Sequence, residues 1–414
     1  MIKIESLGGR SVSEEAFECV ERKGLGHPDT IADLLSEAVS LALSKEYIRL
    51  AGAVLHHNAD KGFLAAGRAE KAFQGGRIVK PMRFFMGDRA TFRAGGIRIP
   101  VAEIAVEAAR KWLGQNLRFV EPERHITFHP QLAPGSAQLT DIFAKGIFAK
   151  GPRKPLGAND TSAAIGYWPL SPTEELVLAL EGYLNSKPFK RRYPETGEDI
   201  KVMAVRQDRT LSLTIAMPLI DRFLRHEGEY FVRKEMILAG IEAFLRARSG
   251  DTDSCFEDFL VHFNNLDTRD RGMAGIYLSV IGTSAEDADS GQVGRGNRAN
   301  GLISFSRPLT TEAAAGKNPL SHAGKIYSVL SHVLAKKVCE TAPDAIREAY
   351  VMLVSRIGME VNRPAAVSVK VRLRRGAHVR DVSSVINGAI EEELSEKNML
   401  SFTGRLARGK YRVC

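Results

Sequence analysis

The stretch Glu21-Arg22-Lys23-Gly24-Leu25-Gly26-His27-Pro28-Asp29-Thr30-Ile31-Ala32-Asp33 constrains the chain most, as a glycine-bearing turn running into the start of a helix. Pro28 suits a first helical position, where its missing N–H would have no partner anyway. Apolar residues recur at Ile31, Leu34, Leu35, Ala38, Val39 and Ala42, one face of an α-helix over 28–48. His27 and Asp29 therefore stand at a helix N-terminus, where free N–H groups and the dipole favour an anion. Lys23 and Arg22 lie just upstream. A histidine, a carboxylate, a helix end and two cations suit a phosphate–metal ligand. An Asp in a first helical turn is also an ordinary helix-start residue, and a His before Pro an ordinary cap.

The 414 residues, 44% hydrophobic and 26% charged, predict two or three globular domains, each with its own core. No run of 18 apolar residues indicates a membrane span. Met1–Glu5 carries no apolar signal region. Cys19, Cys255, Cys339 and Cys414 lie far apart without a CxxC pair, which fits a reduced cytoplasm and argues against a zinc site or a disulfide framework. The formal net charge of +9 admits nucleic acid, an anionic membrane or a polyphosphate as partner. The denser basic runs, Lys187–Arg192 and Lys397 to Arg412, lack interleaved stacking aromatics. They read as solvated basic faces, not as a nucleic-acid surface.

In order, the patterns predict a strand at Phe17–Val20 and the helix 28–48. Strand-like runs at Ala51–His57 and Phe63–Arg68 flank a turn over Asn58–Gly62. Residues 72–100 read as loop and irregular strand. A helix at Val101–Leu113, with Ile104, Ala105, Ala108 and Leu113 inward, leads to a strand at Arg124–His129. The same β-α-β-β-α-β order returns. It runs through a strand at Ser162–Trp168 and a helix at Thr173–Asn185 capped by Ser171. A hairpin of Lys201–Arg206 and Leu211–Met217 follows, then a helix at Tyr230–Ala247 and a strand at Phe259–Asn264. A third round has strands at Gly275–Ile281, Ala349–Ser355 and Ala366–Val371 and helices at Pro319–Lys336 and Val379–Glu393. The expected class is α+β, with three similar units near 1–135, 136–270 and 271–414 that exchange strands, each a sheet covered by helices. Sheets of this kind leave a face for a neighbour, so an oligomer is expected.

Two further stretches carry chemistry. Gly282–Gly301 mixes five glycines with Glu286, Asp287, Asp289, Arg295 and Arg298. Glycines admit close backbone approach, and arginine forks suit phosphate oxygens. A surface loop held by its own ion pairs would look the same. Ala313-Ala314-Ala315-Gly316-Lys317-Asn318-Pro319-Leu320-Ser321-His322-Ala323-Gly324-Lys325 is another Gly–Lys turn entering a helix, though Asn318 breaks the P-loop pattern. Adjacent strand residues His56 and His57 point to opposite faces and cannot easily share a metal. The G-x-S-x-G, HExxH and complete GxGxxG patterns are absent, so classical hydrolase, zinc-protease and dinucleotide-dehydrogenase readings lack support.

The blocks KGLGHPDTIADLLSEAVS, GAVLHHNAD, GANDTS, GEDIKVMAVR, GTSAED with GQVGRGNRANGLI, and AAAGKNPLSHAGKIY stand in this order. Together they resemble the archaeal-type S-adenosylmethionine synthetases (methionine adenosyltransferases) over roughly residues 17–375. The resemblance implies three βαββαβ-like units around a pseudo-threefold axis, with interwoven segments. It implies transfer of the adenosyl group of ATP to the sulfur of L-methionine, with triphosphate released and hydrolysed to pyrophosphate and phosphate. It implies Mg²⁺, stimulation by K⁺, and a homodimer or dimer of dimers with the site between subunits. Carried over by motif, His27, Lys201, Arg295 and Lys317 are catalytic. His27, Gly135, Ser136, Asp160, Arg295, Lys317 and Lys325 contact ATP or its phosphates, Asp160 and Asp289 lie near methionine, and Asp29 binds the metal. His322 is a further candidate.

Two departures matter. Ala133-Pro134-Gly135-Ser136-Ala137-Gln138 stands where the family carries GxGSxD, and Lys61 stands where an acidic residue is expected. They keep open a paralogue using another thioether or nucleotide, and a non-catalytic nucleotide- or RNA-binding module.

Overall fold

Pro28–Ala51 forms one 24-residue helix, α1, whose apolar residues belong mainly to one of the three cores. The structure is a computed structural model that describes residues 2–136, 154–249 and 255–414; Gln138 lies outside them. His27 caps α1 at its start. Gly52, at φ +76°, ends it in the left-handed conformation that glycine adopts without strain. Ile31, Leu35, Val39, Leu43 and Tyr47 are buried on its apolar side. Asp29, Asp33, Ser36, Glu37, Ser40 and Ser44 are buried as well. Leu34, Ala38 and Ala42, expected inward, are only half-buried, because a polar stripe fills part of that position.

In chain order, the strands of the three larger sheets are β1 (Ile2–Ser6), β2 (Phe17–Lys23), β3 (His57–Ala65), β4 (Met82–Ala90), β5 (Ile126–Pro134), β6 (Ala163–Trp168), β7 (Lys201–Gln207), β8 (Thr210–Ala216), β9 (Asp258–Phe263), β10 (Gly291–Gln292), β11 (Ile303–Ser304), β12 (Ile346–Val354) and β13 (Ala366–Leu373). The longer helices after α1 are α2 (Val101–Asn116), α3 (Pro172–Leu184), α4 (Glu227–Ser249), α5 (Ala323–Thr341), α6 (Val379–Glu393) and α7 (Glu396–Leu406). The sheets run β1-β13-β12-β6, β9-β8-β7-β2-β11 and β10-β3-β4-β5. The expected α+β class holds, and strands distant in sequence pair with one another. β1 pairs in parallel with β13, and β2 lies between β7 and β11. Each sheet has a separate core. Leu35, Phe84 and Leu113 typify one, Leu180, Ile215 and Ile241 the second, and Leu330, Val351 and Ile386 the third.

Several local expectations are corrected. Asn58–Gly62 is no turn but part of β3, whose register against β4 shifts between Asn58 and Lys61. Polar residues in a bulge mimic a turn in sequence, and the bulge re-aims Asp60. Residues 72–100 contain β4, which pairs with β3 on one side and β5 on the other. In α2 the inward residue is Ala109, not Ala108, and Ile104 is half-buried. The third-round helix starts at Ala323, with Pro319 in the preceding turn, where Asn318 Oδ1 accepts the Leu320 N–H at 2.9 Å. The expected strand Gly275–Ile281 shrinks to Leu278–Ser279. The basic run Lys397 to Arg412 is not a solvated face throughout. It contains α7, which buries Met399, Phe402 and Leu406. Ser171 caps α3 as expected, with Glu174 completing a capping box.

The polar side of α1 carries a buried ion pair. Lys325 Nζ lies 2.7 Å from both carboxylate oxygens of Glu37, and Lys325 is 0% exposed. Removing one partner of such a pair leaves a buried charge uncompensated. Glu37→Ala should therefore cost about 3–5 kcal/mol in denaturant unfolding, more than Glu37→Leu combined with Lys325→Met. An unchanged unfolding midpoint for Glu37→Ala would show that Lys325 reaches solvent.

Candidate active site

The first cluster forms where β2 turns into α1. Gly24 N–H donates to Ile200 O at 2.5 Å and Gly26 N–H to Glu198 O at 2.9 Å. A Cβ at either glycine would run into that backbone, so the turn needs both. The tight turn delivers His27 to the helix end. There its Nδ1 accepts the Asp29 N–H at 3.2 Å. A ring nitrogen that accepts carries no proton, so the neutral ring holds its proton on Nε2. Burial pushes the His27 pKa down to about 4, with Lys23 and Lys201 adding to the depression against the opposing pull of Asp29. His27 is thus a neutral N–H donor. Protonating Nδ1 would break the cap.

Asp29 sits one step inside the helix. Its Oδ2 meets Lys23 Nζ at 2.8 Å, and its Oδ1 accepts the Gln292 N–H at 3.0 Å. Lys23 Nζ also donates to Arg295 O at 2.7 Å. Lys201 faces Lys23 across the β2–β7 ladder, and its Nζ lies 3.6 Å from Glu21. The Arg295 side chain is exposed and has no hydrogen bond or ion pair among the described residues. Asp289 is exposed on the same loop and accepts the Ser290 N–H at 2.9 Å. Beneath it the buried Asp199 accepts from Ser284 N–H at 2.7 Å and Ser284 Oγ at 2.5 Å, and burial pushes its carboxyl up to about 7. The structure therefore brings His27, Asp29, Lys201, Arg295 and Asp289 to one helix end.

The second cluster lies farther along α1. Lys317 is 2% exposed and pairs with Glu312 and, at 3.7 Å, with Asp60. Lys61 Nζ reaches Asp60 Oδ2 at 2.8 Å. Burial and a hydrogen bond shared with Asp60 push Asp88 up to about 6. His322 caps α5 as His27 caps α1, its Nδ1 accepting the Gly324 N–H at 3.1 Å. Burial, with Lys317 close by, pushes it down to about 3. Gly316, at φ +77°, abuts Ala59, where a side chain would collide with backbone. Asn159 N–H donates to Ser321 O at 3.0 Å, which sets the exposed Asp160 beside the α5 start. Gly135 packs on the His56 ring at the end of β5, with Ser136 exposed next to it. Lys325 turns to Glu37 and not to an open surface.

The two clusters border one cavity, lined by Asp33, Gly294, Arg298, Glu312 and Ala313, where a Cβ on Gly294 would lie 3.3 Å from Ala313 Cβ. Asp29 and Glu37 are eight residues apart, about 12 Å along the helix axis. The sequence pattern did not single out Asp33, Glu37, Asp88 or Glu312. For the first two a signal was present, since Asp29, Asp33 and Glu37 recur every four residues. As for a metal, no group of three or more His, Cys, Asp or Glu is gathered among the described residues. Mg²⁺ takes one or two carboxylates together with phosphate oxygens and waters, and a lone helix-end carboxylate such as Asp29 fits that donor set.

Three sheets that pair sequence-distant strands, with cationic glycine loops against one helix, define the class, an α+β scaffold with polyanion-type sites at its helix ends. The chain belongs to the S-adenosylmethionine synthetase (AdoMet synthetase) family, whose model matches residues 1–410. It is 42% identical over 385 residues to a probable S-adenosylmethionine synthase of Aquifex aeolicus, covering 93% of each chain. It is 41% identical over 380 residues to the S-adenosylmethionine synthase of Pyrococcus furiosus, covering 92% of this chain and 91% of the relative. In fold it is similar to an S-adenosylmethionine synthetase from Campylobacter jejuni described as unusual, at TM-score 0.53 and 15% identity over 95% of this chain and 94% of that one. No helix among the described residues is long and apolar enough to cross a membrane.

The His27 geometry has a direct spectroscopic consequence. ¹⁵N imidazole shifts should show a neutral ring with the proton on Nε2 at pH 6. An imidazolium at pH 6, or the Nδ1–H tautomer, would contradict the cap.

Proposed function

We propose that the chain transfers the adenosyl group of ATP to the sulfur of L-methionine and releases triphosphate, which it hydrolyses to pyrophosphate and phosphate. Family membership supports this reading. The observation that carries it is His27 at the α1 N-terminus, its Nδ1 committed to the cap, with Lys23 and Lys201 near enough to act on its charge. A thioether sulfur has no proton to lose, so attack on the C5′ carbon needs no general base. His27 is not built as one, because its Nδ1 is committed to the cap. What the reaction needs is stabilisation of the leaving oxygen, which gains negative charge as the C–O bond breaks. In this reading His27 Nε2–H donates to that oxygen. Lys201 and Arg295 hold the triphosphate, and the α1 N-terminus adds its dipole. Asp29 would hold Mg²⁺ together with phosphate oxygens, and the ion would supply further neutralisation of the triphosphate charge.

Lys317 serves the same substrate from the second cluster. Its present partners Glu312 and Asp60 hold it until phosphate competes for it. The two clusters meet α1 at Asp29 and at Glu37, about 12 Å apart along its axis. A homodimer that faces the first cluster of one protomer toward the second cluster of its partner assembles one full site. Gly135 and Ser136 then border the nucleotide, and Asp160 and Asp289 the methionine amino group. Lys325 supports Lys317 through its N–H donation to Lys317 O at 3.0 Å. K⁺ is expected to stimulate, and the cytoplasm is the expected compartment.

Incubation with ATP, L-methionine, Mg²⁺ and K⁺ should yield the sulfonium product with pyrophosphate and phosphate. Absence of sulfonium with any thioether or nucleotide offered would end the transferase reading. Product from another thioether alone would assign the chain to a paralogue keyed by Lys61. Loss of one preorganised donor costs about 10²–10³-fold, so His27→Ala should lower kcat by that much. A mixture of inactive His27→Ala and Lys317→Ala protomers should regain activity on subunit exchange. Failure to regain it would place both residues in one protomer's site.

A further inference from the structure

α1 offers more than a capped end. Asp29, Asp33 and Glu37 follow one another at four-residue spacing, so they share a face. Each accepts a backbone N–H from a glycine-bearing loop. Asp29 takes Gln292 at 3.0 Å, Asp33 takes Gly294 at 2.8 Å, and Glu37 takes Gly316 at 3.0 Å. The middle one has no other evident task. Asp33 is 2% exposed, its Oδ1 holds the Gly294 N–H, and its Oδ2 lies where a methyl on Gly296 would fall. The loop is tied from other sides too. Arg298 Nη2 donates to Gly294 O at 2.6 Å and Gly296 O at 2.5 Å. The Asn297 side chain exchanges two hydrogen bonds with the Lys23 backbone, at 2.9 and 2.8 Å. Every tie in this segment is spent on backbone or on Asn297. Arg295, between Gly294 and Gly296, keeps its side chain exposed and without a partner among the described residues.

We propose that Asp33 is a positioning residue that fixes the Gly294–Gly296 backbone, so that the Arg295 guanidinium is presented to the triphosphate in one orientation. The inference rests on the phosphate-binding reading of Arg295. Its physical basis is that a donor held in place before reaction needs no reorganisation when charge develops. A long, exposed arginine gains that advantage only if its own Cα cannot drift. The carboxylate is also costly to keep where it is. Burial pushes it up to about 7, against the pull of the Gly294 N–H and Arg298. A leucine or alanine would suit a purely structural helix position better.

The test is a double-mutant cycle on kcat with ATP and L-methionine, using Asp33→Ala, Arg295→Ala and both together. One hydrogen bond to a charged group corresponds to about 10- to 100-fold. Asp33→Ala should lower kcat by that range in the native background and by less than about twofold in the Arg295→Ala background. Asp33→Asn keeps an oxygen for the Gly294 N–H and should restore most of the loss. Gly296→Ala deletes no group but pushes against Asp33 Oδ2, and should lower kcat like Asp33→Ala. It keeps the question open to test if Asp33→Ala does not fold. Equal losses from Asp33→Ala in both backgrounds, or native kcat in Asp33→Ala or Gly296→Ala, would overturn the inference. So would Asp33→Asn performing no better than Asp33→Ala at matched thermal stability. Native activity of Arg295→Ala alone would instead overturn the phosphate-binding reading of Arg295.

Discussion

The acidic face of α1 is the constraint on which the rest depends. Asp29, Asp33 and Glu37 place three carboxylates inside the molecule, where unpaired charge is expensive. The fold answers by bringing backbone N–H groups and lysines from distant segments to meet them. Gln292, Gly294 and Gly316 come from loops more than 250 residues downstream. Lys325 comes with Gly316 and completes the buried pair with Glu37. Each carboxylate thus ties a glycine-bearing loop to α1. Glycine is needed there because the approach is close, as Gly296 against Asp33 and Gly316 against Ala59 show.

The same burial sets the charge states. His27 and His322 cap α1 and α5 through Nδ1 and stay neutral in the folded chain. Their pKa values are depressed from 6.5, to about 4 and about 3. The stability they contribute is present above about pH 6.5 and is lost as pH falls toward those values. Asp33, Asp199 and Glu286 are each raised to about 7. Their contribution has the opposite sign. It is full below about pH 4 and is lost as pH rises through about 7. The two slopes oppose each other between pH 4 and 7.

Much of this was legible in the residues. The order Gly-His-Pro-Asp before an apolar period marks a capped helix start, because caps and first-turn residues act locally. Ser171 with Glu174 is legible for the same reason. The failures share a cause. Asn58–Gly62 resembled a turn because a bulge uses turn-like residues while its pairing comes from a remote strand. The central strand Met82–Ala90 was hidden because half its side chains face away from the core, leaving Arg83 and Arg89 in view. The amphipathic helix Glu396–Leu406 was masked by its surface cations.

By itself the sequence determined the helix ends, the α+β class, the family and the residue types a polyanion needs, since these follow from local spacing and side-chain chemistry. Only the tertiary structure decided which of those residues meet. It tied the Arg295 backbone to Lys23 beside Asp29, and set Lys317 with Asp60 and Glu312. It also turned Lys325 away to Glu37. The reason is physical. Hydrogen bonds between segments hundreds of residues apart depend on the pairing of distant strands and on the burial of charge, and neither leaves a periodicity in the chain.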